Sequence, residues 1–179
     1  MKHAPRRAFE RAFRWPDPPL HVVVVHPQIP PNTGNIARMC AATGSRLHLV
    51  EPMGFRITDA KLKRAGLDYW DSIAPEVHPS FEAFLEAARP RRFFLFSTGG
   101  GRSLFDQRFA PGDALVFGSE TGGLPDDLLQ SHPDRVLGIP IQTRHVRSLN
   151  LSTAAGIAVY EALRQIHCGA DSAGESAVD

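Results

Sequence analysis

His21-Val22-Val23-Val24-Val25 is an unbroken β-branched run with no polar alternation, the pattern of a strand buried on both faces of a parallel sheet. A helix is expected after it, from about Thr33 or Asn35 to Thr43, with Gly44 where a left-handed residue commonly ends one. Arg46 to Val50 reads as a second strand. Thr58 to Ala65 reads as a short helix ended by Gly66, and Ser80 to Ala88 as another, with Ser80 as N-cap and Pro90 beyond its end. Further strands are expected at Phe93 to Phe96, Ala114 to Phe117 and Val136 to Ile141, the last two separated by a short helical stretch after Pro125. A helix from about Ser152 to His167 closes the pattern, with Ala154, Ile157, Ala158, Leu163 and Ile166 at helical spacing. Strands alternating with helices predict an α/β fold, with a mainly parallel sheet covered by helices on both faces.

Composition keeps this to one domain. The 179 residues are 42% hydrophobic and 22% charged, close to globular averages, so no second core is needed. The expected division is a basic, flexible arm over 1–19, the domain over 20–168 and a disordered tail over 169–179. The purest apolar run, Val22 to Val25, is far short of the roughly 20 residues that cross a bilayer. The arm carries Lys2, Arg6, Arg7, Arg11 and Arg14 against Glu10, lacks the apolar core of a signal peptide, and ends at Trp15-Pro16-Asp17-Pro18-Pro19. It reads either as a contact for phosphates or as a solvated tail. Cys40 and Cys168 form no CxxC spacing, which suggests neither a disulfide framework nor a zinc site and fits a reducing cytoplasm. A net charge of +1 allows nucleic acid to bind only through a local basic patch. Most of the basic residues are arginine, whose planar guanidinium grips a phosphate with two parallel bonds.

Chemistry concentrates in three polar segments: Pro30 to Arg38, Phe117 to Pro125, and Arg147 to Ser152. The first two follow apolar strand-type runs directly and the third follows one after a short loop, so all three are expected at the carboxyl ends of strands, where open α/β sheets bind ligands. Familiar site patterns fail. Lys61 and Lys63 lie outside any GxxxxGK[ST] context, and Leu104 stands where the third glycine of GxGxxG is required after Gly99. Gly118-Ser119-Glu120-Thr121-Gly122 places serine second, not third as a nucleophile elbow demands. The eight histidines give no HExxH and no close pair at helical spacing, so no catalytic metal is expected; His26, after the first strand, suits a structural role better than a catalytic one. Asp126 and Asp127 suit the first turn of a helix. Amides, backbone donors, one carboxylate and arginines remain, a set without an evident nucleophile that suits transfer between two bound substrates.

At these residues the chain resembles the SPOUT-superfamily RNA methyltransferases, and within them the TrmL (YibK-type) tRNA 2′-O-methyltransferases. The resemblance rests on Ile29 to Arg38, Glu51-Pro52-Met53-Gly54-Phe55, Arg64-Ala65-Gly66-Leu67-Asp68-Tyr69, Phe117 to Pro125 and Ser148-Leu149-Asn150-Leu151-Ser152, and covers roughly residues 20 to 167. It implies a C-terminal trefoil knot, an exception to the rule that chains avoid threading, and a homodimer with each active site at the subunit interface. It also implies S-adenosylmethionine as methyl donor, held by Phe96, Ser97, Thr98, Gly118, Ile139, Pro140, Ile141, Ser148 and Leu149. Asn32, Arg38, Glu120 and Asn150 match the positions the family uses around the acceptor ribose. Helix capping competes as a reading of Asn32, and a surface salt bridge as a reading of Arg38. The implied activity is 2′-O-methylation of the wobble cytidine or uridine, position 34, of the tRNA anticodon, with leucine tRNAs as the expected substrates. RNA contacts are expected from Arg46, Arg102, Arg144 and Arg147. A related enzyme acting on another tRNA or rRNA ribose, a noncatalytic RNA-binding protein and a nucleotide hydrolase are the alternatives. Family members often carry arginine where this chain has Gly122.

Overall fold

The computed structural model describes residues 13–56, 73–142 and 145–171. The expected helix at Thr58 to Ala65, the Arg64 to Tyr69 motif, Arg144, most of the basic arm and the end of the tail lie outside them. Among the described residues, seven strands form one sheet: β1 His21–Val25, β2 Arg46–Val50, β3 Glu76–His78, β4 Arg92–Phe96, β5 Arg102–Ser103, β6 Asp113–Phe117 and β7 Val136–Gly138. Their order is β3-β2-β1-β6-β4-β7-β5, and every pairing is parallel. All carboxyl ends therefore share one edge of the sheet. The unbroken valine run of β1 is buried at every position because β2 and β6 flank it and side chains cover both faces.

The helices are α1 Pro30–Thr43, α2 Phe81–Ala88, α3 Asp126–Ser131 and α4 Leu151–Asp171. On one face α1 and α4 pack together, so that Ile36, Ala155, Ala158 and Leu163 join Val22, Val24, Leu115 and Phe117. On the other, Phe81 and Phe84 of α2 join Val23, Val25, Leu95 and Val116. This is the α/β arrangement with helices on both faces that the alternation predicts. Two caps agree as well: Gly44 ends α1 at φ 68°, and Ser80 accepts the Ala83 N–H at 3.2 Å.

Boundaries differ where proline or glycine decides them. Helix α1 begins at Pro30, ahead of Thr33, because proline fits the first turn, where its missing N–H has no partner to lose. Strand β7 stops at Gly138 instead of reaching Ile141, since Pro140 cannot donate to a ladder. Helix α4 runs past His167 to Asp171. Phe13 stacks on His167 with ring centroids 4.6 Å apart, which docks the chain just before Trp15 against the end of α4. Among the described residues, no helix is long and apolar enough to cross a membrane.

Candidate active site at the carboxyl ends of the strands

The loops that leave β1, β4, β6 and β7 meet around an open cleft of about 650 Å³. Phe96 and Phe117, the last residues of β4 and β6, stack with centroids 4.8 Å apart and 16° between their planes, forming an apolar floor. Ile139, Ile141 and Leu149 add apolar wall, and Ser97, Thr98 and Ser148 add hydroxyls. Eight of the nine positions assigned to the cofactor from the resemblance, Gly118 included, line this one cleft; Pro140 does not.

The loop after β6 is folded back tightly. Ser119 and Gly123 exchange two backbone hydrogen bonds of 3.0 Å, and Gly123 holds φ at 69°. A Cβ on Gly118 would stand 1.9 Å from the Gly123 carbonyl carbon, so no side chain fits there. The turn aims Glu120 across the cleft at the start of α1. Its Oε2 accepts the Gln28 N–H at 2.9 Å, while Oε1 accepts the Ile29 N–H at 3.1 Å and the Asn32 Nδ2–H at 3.0 Å. Pro30 and Pro31 have no N–H to offer, so the carboxylate satisfies the donors just before them, at the positive end of the helix dipole. Thr121 completes the joint by donating to Gln28 Oε1 at 2.6 Å.

The network continues to α4. Asn150 Oδ1 accepts the backbone N–H groups of Ser152 and Thr153 at 2.9 and 3.3 Å, which makes Asn150 the N-cap of that helix. With Oδ1 so engaged, Nδ2 must face Asn32 Oδ1, 2.9 Å away, and Asn32 must turn its own Nδ2 to Glu120. The donor logic fixes both amides. Asn32, Glu120 and Asn150, from segments about 90 and 30 residues apart, thus form one continuous chain.

Arg38 is not part of it. Six residues after Asn32, about 9 Å along the axis and on another face of the helix, it is exposed and absent from the cleft lining. Asn32 is not a cap either: the N-cap of α1 is Ile29, without a side-chain bond. His26 serves the backbone, turning at φ 55° with its N–H on Val50 O. Of the arginines expected to meet RNA, Arg147 lines the cleft. Arg46 begins β2, at the opposite edge of the sheet, and Arg102 is engaged by Asp134 O and Gln107 Oε1, both at 2.9 Å. Sequence reasoning missed the parts played by Gln28 and Thr121. It also read Asp126 as a first-turn residue only, whereas Asp126 occupies the first turn of α3 and lines the cleft as well. The adjacency of Gln28 to Pro30-Pro31 was the signal available.

The chain is similar to known proteins over most of its length. The model of the SpoU rRNA Methylase family matches residues 19–160. A protein of Burkholderia ambifaria named tRNA (cytidine(34)-2′-O)-methyltransferase is 49% identical over 149 residues, spanning 82% of this chain and 95% of that one. A solved structure described as giving insight into the 2-OH methylation of C/U34 on tRNA is 51% identical, with a TM-score of 0.76 over 82% of this chain and 95% of the other. The SpoU methyltransferase AviRb from Streptomyces viridochromogenes, solved in complex with the cofactor AdoMet, is 27% identical with a TM-score of 0.72, over 87% of this chain and 63% of that one. With the family model matching residues 19–160, most of the sequence, the chain belongs to the SpoU rRNA methylase family.

Proposed function

We propose that the cleft transfers a methyl group from S-adenosylmethionine to the ribose 2′-oxygen of a wobble cytidine or uridine in tRNA, with leucine tRNAs as its substrates. The observation that carries this reading is the chain Glu120–Asn32–Asn150 on the rim of a cleft with an apolar floor. It sets fixed polar groups where an acceptor ribose must be oriented, and supplies no nucleophile of its own.

The residues present suit the cofactor. The volume lies in the range of ligand pockets, about 300–1,000 Å³. Phe96, Ile139, Ile141 and Leu149 provide apolar surface for an adenine ring, Ser97, Thr98 and Ser148 hydroxyls for its polar edge and ribose, and the backbone at Gly118 a close approach. Bound there, S-adenosylmethionine supplies an electrophilic methyl on a sulfonium sulfur.

The chain's own groups must bring the ribose oxygen into line and stabilise it as its proton departs. Asn32 and Asn150 orient the ribose, and Glu120 holds Asn32 in place. A guanidinium, with its pKa above roughly 12, is a poor base, so the arginine's role is to grip the adjoining phosphate and stabilise the developing alkoxide, the proton leaving to water or to that phosphate. Because Arg38 stays outside the cleft of its own chain, Arg38 of the partner subunit fills this role in a homodimer whose active sites lie at the interface. The stretch from β7 to α4 then forms part of the family's trefoil knot. Support comes from the close crossing at Gly100, where a Cβ would stand 2.4 Å from the Leu137 carbonyl carbon.

Incubation with methyl-labelled cofactor and unfractionated tRNA, followed by alkaline hydrolysis, tests the chemistry. A 2′-O-methyl group blocks cleavage of the next phosphodiester, so the label is expected in alkali-resistant dinucleotides. Label in mononucleotides contradicts ribose methylation, and cofactor binding without transfer to any RNA favours a noncatalytic RNA-binding role.

A further inference from the structure

Three histidine rings stand in line under the other half of the sheet. His21 Nδ1 lies 2.9 Å from His48 Nε2, and His48 Nδ1 lies 3.0 Å from His78 Nε2. They come from β1, β2 and the edge strand β3, and Phe84 of α2 packs on them, with its centroid 4.9 Å from that of His48 and 5.6 Å from that of His78. Glu76 lies two residues before His78 on β3, hence on the same face, and is the register partner of His48. Its side chain is half exposed, with Oε2 3.8 Å from His48 Nδ1. One ligand atom from each of His48, Glu76 and His78 falls within 4.8 Å of the others.

We propose that His48 Nδ1, His78 Nε2 and the Glu76 carboxylate form a structural site for a divalent cation of the zinc and cobalt class, which staples β3 to β2. Two imidazole nitrogens and one carboxylate are a donor set that zinc favours. A tetrahedral ion with ligands at about 2.0–2.1 Å places them about 3.3 Å apart. The His48–His78 and His48–Glu76 separations of 3.0 and 3.8 Å bracket that value, and all three ligand atoms lie within 4.8 Å of one another, so side-chain rotation of the half-exposed Glu76 and of the rings admits the ion.

Protons can be placed consistently. If His48 carries its proton on Nε2 and donates it to His21 Nδ1, its Nδ1 lone pair faces the ion, and the His21 contact becomes the outer hydrogen bond that orients a metal-bound imidazole. His78 then carries its proton on Nδ1 and offers Nε2. Binding thus needs a tautomer choice. Water completes the tetrahedron on the solvent side of Glu76. Ligands 28 and 30 positions apart in sequence escape any spacing motif, because a parallel sheet assembles them. The cluster stands apart from the cleft, so the expectation that catalysis needs no metal is unaffected.

The test uses the full chain without a histidine tag, stripped by chelator and titrated with Co²⁺ and Zn²⁺. One saturable equivalent, the intense visible bands of four-coordinate cobalt and a rise in melting temperature are expected. His78→Ala and Glu76→Gln should each weaken binding by roughly tenfold or more, with methyl transfer unchanged. Glu76→Gln, at a half-exposed position, decides the matter if His78→Ala fails to fold. Absence of a saturable equivalent, or binding untouched by Glu76→Gln, overturns the proposal and leaves the rings as a hydrogen-bonded core chain.

Discussion

The sheet carries two polar chains that resemble each other in length and differ in everything else. Glu120–Asn32–Asn150 lies at the carboxyl edge, and each link joins loops that leave different strands. His21–His48–His78 runs across β1, β2 and β3, with Phe84 packed on it. The first keeps a carboxylate and is open to solvent through the cleft, and its donors and acceptors have one assignment only. The second is buried and neutral, since burial and then the Arg46 charge push His21 down to about 4. A polar group that meets a substrate needs a fixed direction, whereas one that ties strands together needs only a partner. Damage to the first should therefore cost turnover, and damage to the second stability.

The largest effect is expected from Glu120→Ala. It hands the exposed Gln28 and Ile29 N–H groups to water and frees the Asn32 amide, for a stability loss of about 1 kcal/mol. Misplacing the acceptor should lower turnover by roughly 100-fold or more with cofactor affinity retained, as single-turnover kinetics and calorimetry would show. Full turnover in this variant would break the distinction between the two chains.

Next comes a mixing experiment. Asn32→Ala and Arg38→Ala should each be inactive alone. In the homodimer proposed above, refolding the two together pairs them in half of the dimers, each with one intact site, so activity should return to about a quarter of the wild-type level. No recovery would place both residues in the same subunit's site.

The histidine chain should respond to acid. Unfolded rings take up protons below pH 6.5, whereas folded His21 and His48 resist until about pH 4 and about pH 3. Their contribution is thus complete above pH 6.5 and drains away as the pH falls, by about 1.4 kcal/mol per pH unit for each ring. Urea melts in chelator at pH 7 and pH 5 would measure it. His21→Asn should make the slope shallower and leave turnover at neutral pH intact.

Smallest is Gly122→Arg. The position is exposed, and a Cβ there meets only the Ser119 hydroxyl, at 3.2 Å. One added phosphate contact should tighten tRNA binding several-fold at low salt and steepen its salt dependence by about one charge.

The core was legible because its signals are local. A β-branched run without alternation can only be an inner strand, and Gly44 and Ser80 mark helix ends through their own backbone chemistry. Strands β3 and β5 were not legible. They are only three and two residues long, and pairing with neighbours defines them, not composition. At the site, the residues assigned from the resemblance, apart from Arg38 and Pro140, line one cleft, yet the motifs did not reveal that Glu120 closes the start of α1 or that Asn150 caps α4. Those bonds join residues that only the fold brings near. The histidine chain was invisible for the same reason. Arg38 shows the converse limit: a matching position in the sequence does not tell whether the side chain reaches the cleft of its own chain, and here it does not.

The most direct measurement is nucleoside mapping of tRNA methylated by the purified protein with labelled S-adenosylmethionine. The account predicts label in 2′-O-methylated cytidine or uridine at position 34 of leucine tRNAs, absent with Glu120→Ala and retained with His21→Asn. Label on a ribose elsewhere in tRNA, or wild-type transfer by Glu120→Ala, would contradict it.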